Sequence, residues 1–114
     1  MTESDINIKV QLDGGKVPQQ ITWSATGSTS DSPQKAKAVF LAFWDAQDKS
    51  ALRIDLWTKD MMVDEMANFY FQVFTTMADT FERATKHNEL TADIKKFAND
   101  FHEKFIALEK EKNK

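Results

Sequence analysis

Ile6, Ile8, Val10 and Leu12 alternate with Asn7, Lys9 and Gln11, the period-two pattern of a half-buried strand. Asp13-Gly14-Gly15-Lys16 follows. It reads as a turn, because glycine accepts the positive φ that tight turns demand. Ile21, Trp23 and Ala25 then alternate with Gln20, Thr22 and Ser24. Pro18 has no N–H to give to a ladder, so it fits a sheet edge or the first residues of a strand. The two segments predict a hairpin over residues 5–13 and 18–26.

Residues 27–32 form a polar connector of Gly, Ser, Thr and Asp. Ser32-Pro33 has the form of a helix start, a capping hydroxyl followed by a residue suited to the first turn. At helical spacing Ala36, Val39, Phe40, Phe43 and Trp44 fall in one arc, so a helix is expected over 33–48. Leu52, Ile54 and Leu56 alternate with Arg53, Asp55 and Trp57, which predicts a third strand over 51–58, central or at least well paired. A long helix is expected over 63–86, where Phe69, Met66, Val73, Met77, Tyr70, Phe81, Phe74 and Phe71 sweep an apolar arc of about 200°, twice the stripe of an ordinary surface helix. Phe69, Val73, Phe74, Met77 and Phe81 are its expected core. Leu90, Ile94, Phe97, Phe101, Phe105 and Leu108 give the last helix, 89–111, one narrower stripe. Lys110, Lys112 and Lys114 suit its C-terminal end, where free carbonyls favour cations, and residues 109–114 are expected to fray.

The order is ββαβαα: an α+β domain with a small, mainly antiparallel sheet and helices on one face. The second sheet face would carry Asn7, Lys9, Gln11, Gln20, Thr22, Ser24, Arg53, Asp55 and Trp57. The arc of the long helix calls for two covering partners inside the chain or for a subunit interface, which leaves a homodimer open.

Composition narrows this little. A chain of 114 residues fits one domain, 1–114, able to hold a core without staples. There is no cysteine, so disulfide and Cys-zinc frameworks are out. Nine Phe and three Trp exclude wholesale disorder. A net charge of −3 gives no reason to expect nucleic acid. No run approaches a membrane span, so membrane insertion is not expected. The first twenty residues show no secretory pattern, so a cytoplasmic location is expected; the periplasm is equally compatible with the lack of cysteine.

Candidate chemistry is thin. His102-Glu103 opens like HExxH, but Ile106 stands where the second imidazole is needed, so zinc cannot be chelated there. Asp55, Asp60, Asp64 and Glu65 gather around the third strand and the long helix. Such carboxylates could do acid–base work, and they define an alternative reading as a small ligand-binding or enzymatic domain. Acids at a helix start are also what its free amides favour. Phosphate-cradling and nucleophile-elbow motifs are absent. No catalytic, cofactor or metal residue is assigned, and no cofactor is expected. Trp57 stands out as a large aromatic on an otherwise polar sheet face, a composition enriched at interfaces.

Three blocks go beyond generic patterning: Ile21-Thr22-Trp23-Ser24-Ala25, the run from Leu52-Arg53-Ile54-Asp55-Leu56-Trp57 through Thr58-Lys59-Asp60-Met61, and Met77-Ala78-Asp79-Thr80-Phe81-Glu82-Arg83-Ala84-Thr85. With the segment order they make the chain similar to the gliding motility protein GldC family. A proline is common in that family where this chain has Met62. The resemblance implies a non-enzymatic accessory role in bacterial gliding, through protein contact with the motility machinery, with GldB as the partner. It carries no catalytic residues. Folding accounts for Leu52, Ile54 and Leu56; it leaves Arg53, Asp55, Trp57, Lys59 and Asp60 as the candidate partner surface.

Overall fold

In the computed structural model, which describes residues 2–27 and 32–112, the chain forms two compact units, Met1–Met61 and Met62–Lys114. The first is built of antiparallel strands, the second of two helices, and the class is α+β.

The alternation at the start of the chain gives β1 (Ile6–Leu12) and β2 (Pro18–Ala25). Their register pairs Ile8 with Trp23 and Val10 with Ile21 on one face, and Lys9 with Thr22 on the other. The turn works differently from the expectation. Lys16, not a glycine, takes the left-handed conformation, at φ 62°. The Asp13 carboxylate holds the loop by accepting the N–H of Gly15 at 2.8 Å and of Val17 at 3.0 Å. An Asx turn of this kind needs the aspartate more than the glycines.

The helix expected over 33–48 is not there. The segment forms β3 (Gln34–Ala36), which pairs with β2, and β4 (Ala38–Trp44), which pairs with β5 (Ala51–Trp57). Every residue of β4 is apolar, and five of its seven are β-branched, Leu or aromatic. A continuous apolar run of that length cannot be assigned by periodicity, and such side chains favour a pleated surface. The residue before a proline also leans to extended backbone, so Ser32-Pro33 suits a strand entry as well as a cap. Beyond Trp44 the chain reverses on Asp45, whose N–H reaches the Ser50 carbonyl at 2.9 Å and whose carboxylate accepts the Asp48 N–H at 2.7 Å, with Lys49 at φ 51°. The sheets are β1-β2-β3 and β4-β5.

β5 is therefore well paired along its whole length with β4, as expected, but at an edge rather than at the centre of a sheet. Its supposed core residues are open: Leu52 is 56% and Ile54 51% exposed. Among the described residues of this unit the fully buried apolar one is Ile21, at 1%. Thr58 is also buried; its N–H reaches the Lys37 carbonyl at 2.8 Å and its hydroxyl donates to the Asp60 carboxylate.

The second unit comprises α1 (Val63–Thr85) and α2 (Asn88–Lys112). Met62 brings no side-chain oxygen to the start of α1. Glu65 compensates by accepting the Met62 N–H at 3.0 Å, and Asp64 accepts the Glu65 N–H at 3.0 Å. Lys86, left-handed at φ 62°, ends the helix with its N–H on the Glu82 carbonyl. The two-residue connector makes the helices antiparallel neighbours. Ala78 and Ala98 are the fully buried residues of their seam. Around them Phe74 meets Phe97 and Phe101 edge-on at 5.5 and 5.6 Å, and Asp79 pairs with Lys95 at 2.8 Å.

The expected core of the long helix changes here. Met77 is 50% exposed rather than core, and Phe69, Val73, Phe74 and Phe81 are only half-buried, because α2 covers a narrower part of α1 than its apolar arc spans. His102, which opens the HExxH-like run, is half-buried and stacks on Phe71 at 4.4 Å. Residues 109–112 are helical, and 113–114 lie outside the described residues.

Small side chains at the seam set how closely the helices approach. Ala98→Leu should cost about 1–3 kcal/mol by overpacking, whereas Met77→Ala, at an exposed position, should cost well under that. Thermal melts of both variants check the assignment, and equal midpoints would place the seam elsewhere.

Candidate functional site

The register of β4 and β5 decides which side chains share a face. Ala38 pairs with Trp57, Phe40 with Asp55, Ala42 with Arg53 and Trp44 with Ala51. Side chains directly opposite in an antiparallel ladder lie on the same side. One face therefore carries Trp44, Phe40 and Trp57 together with Arg53 and Asp55. The other carries Val39, Leu41, Phe43, Leu52, Ile54 and Leu56.

At the centre of the first face the Arg53 guanidinium meets the Asp55 carboxylate at 2.9 Å and lies 5.6 Å from the centroid of the Phe40 ring. That is within cation–π range. Both charged side chains are nearly half exposed, so the pair contributes little to stability. Trp44 and Trp57 stand open toward the two ends of the ladder, at 70% and 54% exposure. Two tryptophans around a self-neutralised charge pair make a surface that can take up a partner without stranding a charge. Trp44 and Phe40 were hidden from sequence reasoning by the helical assignment of their segment. The signal for them was the matched length of Ala38–Trp44 and Ala51–Trp57 around a polar turn.

The other two sequence candidates are engaged inside the unit. Lys59 donates to Asp13 at 3.0 Å and so ties the end of the β5 segment to the β1–β2 turn. Asp60 accepts the Thr58 hydroxyl. The carboxyl of Asp13 is held below its ordinary value by the Val17 N–H, the Lys59 ammonium and the Gly15 N–H, in that order. That of Asp60 is lowered chiefly by the Thr58 hydroxyl. Of the remaining acids, Asp55 is paired with Arg53, while Asp64 and Glu65 serve the start of α1. Among the described residues no three His, Cys, Asp or Glu side chains gather as metal ligands.

The pattern of the family described as gliding motility-associated protein GldC-like matches residues 18–107. The chain belongs to the GldC-like family. No curated protein and no solved structure matches it. The matched span takes in the whole of β4 and β5, so the aromatic face lies within the family region. Family membership associates the chain with gliding motility. Among the described residues no helix is long and apolar enough to cross a membrane.

The lowered carboxyl of Asp13 has a pH consequence. A group held below its unfolded value stabilises the fold above that value, 3.8 for a free aspartate here, and the contribution is lost as pH falls through the lowered folded value. Asp13→Asn should therefore melt below wild type at neutral pH, and the gap should narrow in acid. Melting curves across the acid range check this; a gap that does not change with pH would remove the charge of the Asp13 carboxylate as its source.

Proposed function

We propose that this GldC-like chain is a non-enzymatic accessory protein of the gliding apparatus. It works in the cytoplasm by holding a protein partner, GldB, on the open face of β4 and β5. The observation that carries this reading is the pair of exposed tryptophans, Trp44 and Trp57, set around the Arg53–Asp55 pair and Phe40. Tryptophan and arginine dominate binding hot spots, because each brings a large area with few torsions to order. A charge pair already satisfied within one strand costs less to cover than a lone ion does. The association with motility comes from the family, and a contact role rather than catalysis is favoured because Asp55, Asp60, Asp64 and Glu65 each have a local structural use.

Trp57→Ala and Trp44→Ala should each remove about 2 kcal/mol of binding, roughly thirtyfold in affinity, while far-UV dichroism stays that of wild type. Titration of purified GldB with the two variants measures the loss, and gliding of complemented cells reports its consequence. Unchanged affinity for both variants would move the interface off this face.

A further inference from the structure

The far side of β5 is a second surface, distinct from its faces. No strand pairs with it among the described residues. The Asp45 N–H to Ser50 carbonyl bond and the Thr58 N–H to Lys37 carbonyl bond fix the phase of the ladder at both ends. Bonded and non-bonded pairs alternate along an antiparallel ladder, so Leu52, Ile54 and Leu56 exchange their backbone bonds with β4. The N–H and C=O groups of Ala51, Arg53, Asp55 and Trp57 point away from it. An open edge of this kind is a template for another strand. Proteins normally blunt such edges with charged side chains, above all lysine, with proline or with a bulge; Ala51–Trp57 has no lysine, proline or bulge, and its two charges, Arg53 and Asp55, are opposite in sign.

The order Leu52-Arg53-Ile54-Asp55-Leu56 is self-complementary when read backwards. We infer that β5 pairs antiparallel with β5 of a second copy of this chain about a two-fold axis at Ile54, joining the two β4-β5 sheets into one. In that register Arg53 stands opposite the second copy's Asp55, Leu52 opposite its Leu56 and Ala51 opposite its Trp57, while the two Ile54 side chains meet on the axis. All the outward backbone groups of the strand are then paired. Each large side chain on the aromatic face meets a small one, and the leucines and isoleucines form a single strip on the other face.

Sliding the register by one step in the allowed phase is disfavoured. An axis at Arg53 sets arginine against arginine, and an axis at Asp55 sets aspartate against aspartate. Opposite charges facing each other across a ladder stabilise it and like charges oppose it, so the charge order selects one register. The free edge of β1 behaves in the reverse way. The register that would pair the whole of Ile6–Leu12 with its own copy puts Lys9 against Lys9 on the axis, which blocks it.

Charge swapping tests the pairing on purified protein with no partner present, so its outcome is independent of the motility reading. Wild type should sediment at twice the 13.1 kDa chain mass at high micromolar concentration. Arg53→Asp and Asp55→Arg each create two like-charge oppositions and should weaken self-association about tenfold or more. An equimolar mixture of these two variants should recover a mixed dimer, and so should the double variant Arg53→Asp/Asp55→Arg with itself. A monomeric wild type would overturn the proposal. So would dimers equally tight in both single variants, or single variants that weaken with no recovery on mixing or in the double swap. The double variant keeps an oppositely charged pair within each strand, so it stays informative if a single variant fails to fold.

Discussion

The alignment of Ala38–Trp44 against Ala51–Trp57 is the interaction on which the first unit turns. Its phase is pinned at one end by the Asp45–Ser50 closure and at the other by Thr58, whose N–H reaches back to the Lys37 carbonyl. A slip of one residue would exchange the two faces, because side-chain direction in a strand has period two. Trp44, Trp57 and the Arg53–Asp55 pair would then no longer share a surface, and the outward backbone groups would belong to Leu52, Ile54 and Leu56. The buried threonine at the ladder's end thus does structurally what a large core does elsewhere: it fixes one register where side-chain burial alone is too small to choose.

The legible parts of the chain were those in which pattern and punctuation agree. The β1–β2 hairpin combines strict alternation with a turn built on Asp13. The helices combine long 3.6-residue periodicity with a connector too short for anything but an antiparallel return. Residues 33–48 failed because their apolar positions satisfy both periods at once: Val39, Phe40, Phe43 and Trp44 fit a helical arc, yet Leu41, Ala38 and Ala42 fill the gaps that a helix would leave polar. What decides such a segment is a pairing partner, and the partner lies beyond the turn, in Ala51–Trp57. That non-local term is invisible to a window slid along the chain. The candidate site inherited the error. Arg53, Asp55 and Trp57 were found from their own strand, whereas Trp44 and Phe40 became visible only with the ladder.

The acids show how readily local chemistry imitates a site. Asp13 closes a turn and receives Lys59, Asp60 takes a threonine hydroxyl, and Asp64 and Glu65 supply acceptors to a helix whose first residue is preceded by a methionine. Each carboxylate answers a backbone or side-chain donor that would otherwise face only water. With Asp55 paired to Arg53, the sequence cluster of Asp55, Asp60, Asp64 and Glu65 therefore dissolves into separate local tasks, and what remains for recognition is aromatic surface and strand edge.

That remainder is substantial. Phe43, Leu52 and Ile54 on one face of β4-β5, Trp44 and Trp57 on the other, and Phe97, Met77 and Leu90 on the helices are each about half exposed or more. Isolated apolar residues at a surface need no explanation, but contiguous ones mark places where another molecule binds. In the sheet unit Phe43, Trp44, Leu52, Ile54 and Trp57 all lie on the β4-β5 ladder, and its outer strand β5 carries a charge order complementary to its own reverse. A surface assembled only for solubility would place lysines there, as β1 does with Lys9. The contrast between the edges of β1 and β5 argues that Ala51–Trp57 is left open because a strand belongs beside it.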